Sequence, residues 1–371
     1  MIFLFYILLF LLLSYIGLMT WLSIGFLKLE DFVATEKLEY TPICIVICAR
    51  NEEKTIARCL KSILQQEYDS KKLQIILIND ASTDSTVLQA EAILKNSNVN
   101  YKIISNKEQK GKKRSISFAM QFVSHELIAL RDCDTYSQSN YWLKSISDFY
   151  ISKNPDLIIG PVTISDNRGL LWSIQFIENN ILTVLNAGST YFKKPFLCNG
   201  ANLIFTKSVF EKTNGYQNHL NIKSGDDILF LEDAKKIDGI KIDFLKCKDA
   251  IISTYPCLSF KSLINQKIRW ASKFKVNSNP LNLTLAVLSI TINISWLFCL
   301  FYGFLMPQNA NLSLIFVVLK LFIDFLLLFL ASRFVKNKVI GWYALPIGFI
   351  YPIYSCIIAI ASFFVEPKWK Q

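Results

Sequence analysis

The 371-residue sequence predicts an α/β domain, a mostly parallel sheet flanked by helices, carried together with transmembrane helices. Three observations lead there. Met1–Phe26 contains no charged residue, and from Leu281 onward the only charges are Lys320, Arg333, Lys336, Lys338, Lys368, Lys370, Asp324 and Glu366. Between them, Lys28–Pro280 is well charged and large enough for a domain with a full core. Within that stretch, short β-branched runs alternate with amphipathic helices, the order of a parallel sheet with helices on both faces.

Residues 2–27 predict a retained membrane anchor. About 20 apolar residues cross a bilayer core, and a cleaved signal would need a basic start and a shorter apolar run. Ile43–Cys48 then reads as a strand and Glu53–Gln65 as a helix. Gln74–Ile78 is a second strand, followed by a helix from Ser85 to Leu94. Tyr101–Ser105 is a third strand, followed by a helix from Lys112 to Val123. Leu127–Arg131 is a fourth strand, ending in Asp132-Cys133-Asp134. Leu170–Leu185 predicts an apolar helix, and Cys198–Gly215 a strand–helix unit. The soluble block is placed at residues 41–256. Residues 258–276 form a helix with apolar Phe260, Leu263, Ile264, Ile268, Ala271 and Phe274 at helical spacing. Its other face holds Lys261, Lys267, Arg269, Lys273 and Lys275, the pattern of a helix lying in the membrane interface.

Residues 281–365 predict three further apolar helices: Leu281–Leu305, Leu312–Ala331 and Val339–Val365. Lys320 and Asp324, four apart, can pair on one helix side. Such a pair marks either a functional site or a neutralised structural contact. Pro346 and Pro352 predict a kinked third helix. The acid-free basic loop Ser332–Lys338 and the basic approach to the second span place the large domain on the cytoplasmic side of the inner, plasma membrane. Nine cysteines without a CxxC pair suit a reduced compartment. Two histidines, no GxGxxG and no Walker A loop disfavour Ser-His-Asp hydrolases, dinucleotide oxidoreductases and P-loop NTPases. The net charge of +11 is explained largely by basic residues near the membrane, so attraction to anionic lipid is expected rather than nucleic-acid binding.

The polar clusters fall at strand ends, where open parallel sheets bind ligands. Asp132 and Asp134 flank one residue, and in extended backbone i and i+2 share a face. Both carboxylates can therefore meet one hard cation, and Mg²⁺ is typically held by one or two carboxylates plus substrate phosphates. Asp80 is placed to accept from a nucleobase or ribose, while Asp84 serves as a helix cap. Lys110-Gly111-Lys112-Lys113-Arg114 opens a helix, where cations oppose the dipole, and a phosphate ligand rationalises them.

Together these segments resemble glycosyltransferase family 2, the inverting enzymes with the GT-A fold, over about residues 41–272. Ile47–Glu53, with Arg50 and Glu52, resembles the family's opening nucleotide loop. Asn79–Asp84 resembles DDxSxD, with Asn79 in the first position. Gly111–Ile116 resembles GKxxAL, with Ser115 and Ile116 substituting. Asp132-Cys133-Asp134 resembles the metal-binding DxD, and Asn199-Gly200-Ala201-Asn202 the acceptor loop. Gly225-Asp226-Asp227 stands where the family has its catalytic base, and Gln266–Trp270 resembles QxxRW.

The resemblance implies a nucleotide-diphosphate sugar, a UDP-sugar above others, bound through Arg50, Glu52, Asp80, Lys112 and Asp132. It implies Mg²⁺ or Mn²⁺ on Asp132 and Asp134. Asp227 would be the base, helped by Asp226. Asn199, Gly200, Gln266, Arg269 and Trp270 would meet the acceptor or the diphosphate. The acceptor would be a glycan or lipid-linked, reached by processive polysaccharide synthesis or by single transfer to a lipid carrier, with or without partner subunits. A non-catalytic nucleotide-sugar-binding membrane protein is the remaining alternative. Asp226 and Asp227 also have a plain explanation, as acids complementing the dipole of a helix running to Lys236.

Overall fold

A computed structural model describes residues 2–35, 40–165, 168–222, 225–274, 279–335 and 340–364. The expected basic residues Lys275, Lys336, Lys338, Lys368 and Lys370 lie outside these. In chain order the elements are α1 (Ile2–Lys28), β1 (Ile43–Ala49), α2 (Ile56–Leu64), β2 (Leu73–Asn79), α3 (Thr86–Leu94), β3 (Asn100–Ser105), α4 (Lys112–Ala119), β4 (Leu127–Asp132), β5 (Thr135–Ser137) and α5 (Trp142–Lys153). They continue with β6 (Leu157–Ile159), β7 (Val162–Ile164), α6 (Leu170–Tyr191), β8 (Leu203–Thr206), α7 (Lys207–Lys212), α8 (Asp226–Lys235), β9 (Ile242–Phe244) and β10 (Ile252–Thr254). The last four are α9 (Phe260–Phe274), α10 (Pro280–Leu305), α11 (Ala310–Val335) and α12 (Ile340–Phe364).

The chain divides into two compact units. The first, Leu29–Ser165 with Leu197–Tyr255, is built on a seven-stranded sheet of order β3-β2-β1-β4-β8-β6-β9. β3, β2, β1 and β4 run parallel, as the alternating pattern predicts. β8 is antiparallel to both β4 and β6, so the sheet is mixed beyond the fourth strand. All seven residues of β2 are buried, because helices cover both faces of a central parallel strand. The core gathers Ile43, Ile45 and Ile47 with Ile56, Leu60, Ile75, Leu77, Trp142 and Ile204. A separate three-stranded sheet, β5-β10-β7, lies within the same unit.

The second unit holds Met1–Lys28, Asp166–Phe196 and Pro256–Gln371. It takes α6 along with the apolar helices. The reason is close backbone contact between α1 and α6. A Cβ on Gly188 would fall 1.9 Å from Leu22 O, and one on Gly25 would fall 2.3 Å from Gly188 O. Two glycines thus admit the close helix approach that small residues permit, and Trp21 stacks on Phe192 with ring centroids 4.5 Å apart. Among the described residues, three helical segments are long and apolar enough to cross a bilayer: Phe3–Lys28, Pro280–Leu305 and Pro307–Val335. Pro346–Ala361 is apolar but shorter.

Lys320 and Asp324 pair at 2.7 Å, and Tyr15 of α1 donates its hydroxyl to the same Asp324. Lys320 is 1% exposed and lies 5.8 Å from the ring centroid of Trp296 on α10. The structure therefore favours the structural explanation of this pair: it joins three helices. α9 also departs in detail from a helix lying freely on a surface. Leu263 and Ile268 are buried, Phe260 meets Tyr354 of α12 edge-on, and Lys267 is withdrawn from solvent.

Candidate active site

The carboxyl ends of β1 and β2 carry two loops that are tied together. Asn51 Oδ1 accepts from Thr83 N at 2.9 Å, and Asn51 N donates to Ser82 Oγ at 3.0 Å. Glu53 N donates to Asp84 Oδ2, and Glu53 Oε2 accepts from Ser85 Oγ at 2.8 Å. Asp84 Oδ1 also accepts from Thr86 N at 3.0 Å, so it serves the first amide of α3 from one place before the N-cap Ser85. Burial alone would raise the Asp84 carboxyl, but the donors Thr86 and Glu53 prevail and hold its pKa below the ordinary value. Asn51 and Ala81 both have positive φ, 51° and 58°. Left-handed backbone at non-glycine residues costs about 1–3 kcal/mol each and gathers at functional loops. Asn79 explains its own departure from the family pattern. Its Oδ1 accepts from Ser82 N, and its Nδ2 donates to Ser105 Oγ.

Arg50 stands beside these loops with buried Nε and Nη1 atoms that find no hydrogen-bond partner among the described residues. Such donors are costly to leave unmet, which suits an acceptor-bearing ligand. Glu52 Oε2 accepts from Thr55 Oγ1 at 2.8 Å, at the start of α2.

Asp80 differs from expectation. It is 3% exposed and its carboxylate accepts from Lys110 N, Gly111 N, Asn106 Nδ2 and Ser115 Oγ at 2.8–3.1 Å. Its lone pairs are occupied inside the protein rather than offered to a nucleobase. Instead, Asp80 fixes the loop that opens α4. Gly111 has φ 85°, a value that favours glycine, and its N–H is one of the Asp80 donors.

That loop delivers Lys112 into a group of acids. Lys112 Nζ lies 2.8 Å from Asp132 Oδ1 and 3.0 Å from Asp226 Oδ2, with the lysine side chain 33% exposed. Burial opposes the charge, yet Asp132 and Asp226, aided by Asp227, outweigh it and hold the Lys112 pKa well above its ordinary value. Lys113 also turns inward, donating to the carbonyls of His219 and Ile222 ahead of α8. The Lys110–Arg114 run is therefore no uniform basic surface.

The DxD segment is a turn rather than extended backbone: β4 ends at Asp132, and β5 begins at Thr135. The alternation survives, with Cys133 buried and Asp132 and Asp134 half-buried on either side. Asp132 O accepts from Thr135 Oγ1 at 2.7 Å, which closes the turn. Arg131 supports it from below. It is 1% exposed and bonds Thr135 Oγ1, Ser137 Oγ and Ser62 Oγ, with its guanidinium 4.6 Å from the Trp142 ring centroid. Burial pushes its pKa down to about 10. Sequence reasoning misses Arg131, although a charge directly after the apolar run Leu127–Leu130 and inside the same strand is its signal. The nearby thiols are inert, since burial raises Cys59 to about 11 and Cys48 to about 12.

The Asn199–Asn202 loop brings Gly200 against the acids. A Cβ at Gly200 would lie 3.0 Å from Lys112 Nζ and 3.5 Å from Asp226 Oδ2, so a side chain there would press on the end of Lys112. Gly200 N points to Asp227 Oδ2 at 3.4 Å, and Asp227 Oδ1 accepts from Ile228 N at 2.8 Å. Asn199 Oδ1 accepts from Ala201 N, and Asn202 anchors the loop. Asn202 accepts from Trp142 Nε1 and donates to Pro161 O and Ala250 O, all within 3.0 Å. Gly225, with φ 77°, precedes α8, whose first two residues are Asp226 and Asp227. The helix-start explanation of these acids therefore holds as geometry, and it leaves Asp227 facing the Gly200 backbone.

Asp132, Asp226, Asp227, Lys112 and Gly200 thus converge. The expected Gln266, Arg269 and Trp270 lie on α9 in the other unit, each half-buried. Asp132 and Asp226 share one positive nitrogen, and carboxylate oxygens are hard donors, so Asp132 with Asp134 two residues on has the chemistry that suits a divalent cation such as Mg²⁺ or Mn²⁺. Among the described residues no three His, Cys, Asp or Glu side chains form a cage by themselves. Two carboxylates require oxygens from the substrate to complete such a shell.

Residues 44–212 match the family described as Glycosyl transferase family 2. A poly-beta-1,6-N-acetyl-D-glucosamine synthase of Staphylococcus epidermidis is 31% identical over 149 residues, 39% of this chain and 34% of that protein. An uncharacterized glycosyltransferase of Haemophilus influenzae is 35% identical over 112 residues, 30% of this chain and 33% of that protein. The chain thus spans about a third of the length of these curated relatives. Among solved structures, a mannosyltransferase from Pyrobaculum calidifontis in complex with GDP-Man and Mn²⁺ superposes with a TM-score of 0.58 at 15% identity. The match covers 97% of this chain and 99% of that one, and shows that the fold is GT-A-like.

Proposed function

We propose, from the match of residues 44–212 to glycosyl transferase family 2, that this chain is a multi-pass membrane glycosyltransferase that inverts the anomeric centre as it transfers a sugar. The donor is a nucleotide-diphosphate sugar, and the acceptor is a glycan or a lipid-linked molecule at a cytoplasmic membrane face. The observation that carries this reading is the convergence of Asp132, Asp226 and Asp227 around Lys112 and Gly200.

The orphaned donors of Arg50 and the ammonium of Lys112 offer positive charge to the donor. Asp132 and Asp134 would hold Mg²⁺ or Mn²⁺, which when bound supplies charge neutralisation for the leaving diphosphate. Asp227 accepts the proton of the attacking hydroxyl, and the Gly200 amide orients its carboxylate. Asp226, paired with Lys112, keeps a second negative charge beside the base. On the α9 turn, Arg269 offers positive charge suited to a phosphate and Trp270 a flat indole face suited to a sugar. The stretch of identity with the poly-beta-1,6-N-acetyl-D-glucosamine synthase supports an N-acetylglucosamine-type sugar and repeated transfer. Single transfer to a lipid carrier is the alternative.

Purified full-length protein incubated with a panel of sugar nucleotides, membrane lipid and Mn²⁺ should yield a product whose mass identifies donor and chain length. Asp227→Asn should bind donor nearly normally yet lose about 10²–10⁴-fold in rate. Wild-type turnover by that variant would end the assignment of the base.

A further inference from the structure

Within the helical unit, α6 grips α9 at two successive positions of one face. Gln175 clasps the residue three before α9: its Nε2 donates to Cys257 O at 3.1 Å and its Oε1 accepts from Cys257 N at 2.7 Å. Glu178, at i+3 and so on the same side of the helix, meets Lys267 of α9. Their charged atoms are 2.6 Å apart, with side chains only 16% and 8% exposed. The same Lys267 ammonium lies 4.3 Å from the ring centroid of Trp270, one turn along α9.

A buried charge tolerates its position only while its partner stays in place. Turning α9 by one residue, about 100°, would strand both Lys267 and Glu178. Leu263 and Ile268, the apolar residues buried on α9, discriminate less, since apolar contacts are non-directional. The ion pair therefore selects one setting of the helix.

We propose that Glu178 is a positioning residue: through Lys267 it sets the rotation of the α9 turn that carries Gln266, Arg269 and Trp270. This rests on the reading of that turn given above.

The test uses the full chain in detergent, with the sugar nucleotide that yields product and native membrane lipid as acceptor. Hydrogen–deuterium exchange is followed in residues 260–274 and, as a folding control, in 226–235. Glu178→Gln should speed exchange in 260–274 alone and lower kcat by about 10–100-fold, with KM for the donor nearly unchanged. Glu178→Lys and Lys267→Glu should each do the same, and the two combined should recover most of both losses. Unchanged exchange in 260–274 for Glu178→Gln, or a swap no better than its single reversals, would overturn the proposal. Arg269→Ala separates the two readings. Wild-type kcat in that variant would remove the catalytic role of the turn, while the exchange result would still decide what holds it.

Discussion

Asp80 and Asp84 stand four residues apart at the end of one strand, and both carboxylates work on backbone amides. Asp80→Asn would turn an amide donor toward the N–H of Lys110 or Gly111. A buried polar group left unmet costs about 1–3 kcal/mol. Thermal unfolding should register that loss, and donor affinity should fall with it, because the same loop carries Lys112. Asp84→Ala should cost about 0.5–2 kcal/mol, the worth of a cap. Its pH dependence has a definite sign. The folded pKa lies below the unfolded value, so the stabilisation is present above the ordinary carboxylate range and lost as pH falls through the folded pKa. Wild type and Asp84→Ala should therefore converge in stability under acid; a gap that widened there would contradict the capping role. Asp84 was legible as a cap from its place before a helix. The saturation of Asp80 was not, since its donors come from residues 106 to 115 and only folding sets them around one carboxylate.

At the scale of elements, α11 shows how far periodicity reaches. The i, i+4 spacing of Lys320 and Asp324 predicts their pairing, and they do pair. Nothing local indicates that Tyr15, some 300 residues earlier, completes the group. Lys320→Met should destabilise by about 1–3 kcal/mol, because it leaves the half-buried Asp324 without its counter-charge. The combination Lys320→Met, Asp324→Leu and Tyr15→Phe should recover most of that loss, since replacing a whole buried polar group by apolar residues is often neutral. Denaturation of the detergent-solubilised protein would measure both. A combined variant less stable than the single one would assign the group a role beyond joining α1 to α11. For α9, the spacing of its apolar residues predicts the helix. The partner of Lys267 is decided by α6, which carries no signal of its own for that role.

For the whole molecule, the testable matter is sidedness. We propose from the basic composition of the Ser332–Lys338 segment that it lies, with the unit carrying Asp132 and Asp227, on the cytoplasmic side. A cysteine at position 332, in a chain stripped of its native cysteines, should resist an impermeant thiol reagent in intact cells and react after permeabilisation. Labelling of intact cells would reverse the orientation. Metal dependence belongs to the same scale: an excess of chelator should abolish transfer, and Mn²⁺ or Mg²⁺ should restore it. Turnover that persists in chelator would remove the metal from Asp132 and Asp134.

Periods of two and 3.6 residues, punctuated by polar clusters, determined by themselves the four parallel strands, the helices between them and the apolar spans. These properties are local, because burial selects side chains at fixed intervals along each element. Motif order leads one to expect Asp132, Gly200 and Asp227 near one another, and Lys112 and Asp226 lie between them in the fold. Tertiary structure alone decided that Asp80 faces inward and that β8 runs against its neighbours. It also decided that α6 joins the apolar helices and that Lys112 and Arg131 are held among chosen partners. The physical reason is shared: a buried polar group is defined by what surrounds it, and its partners come from distant parts of the chain.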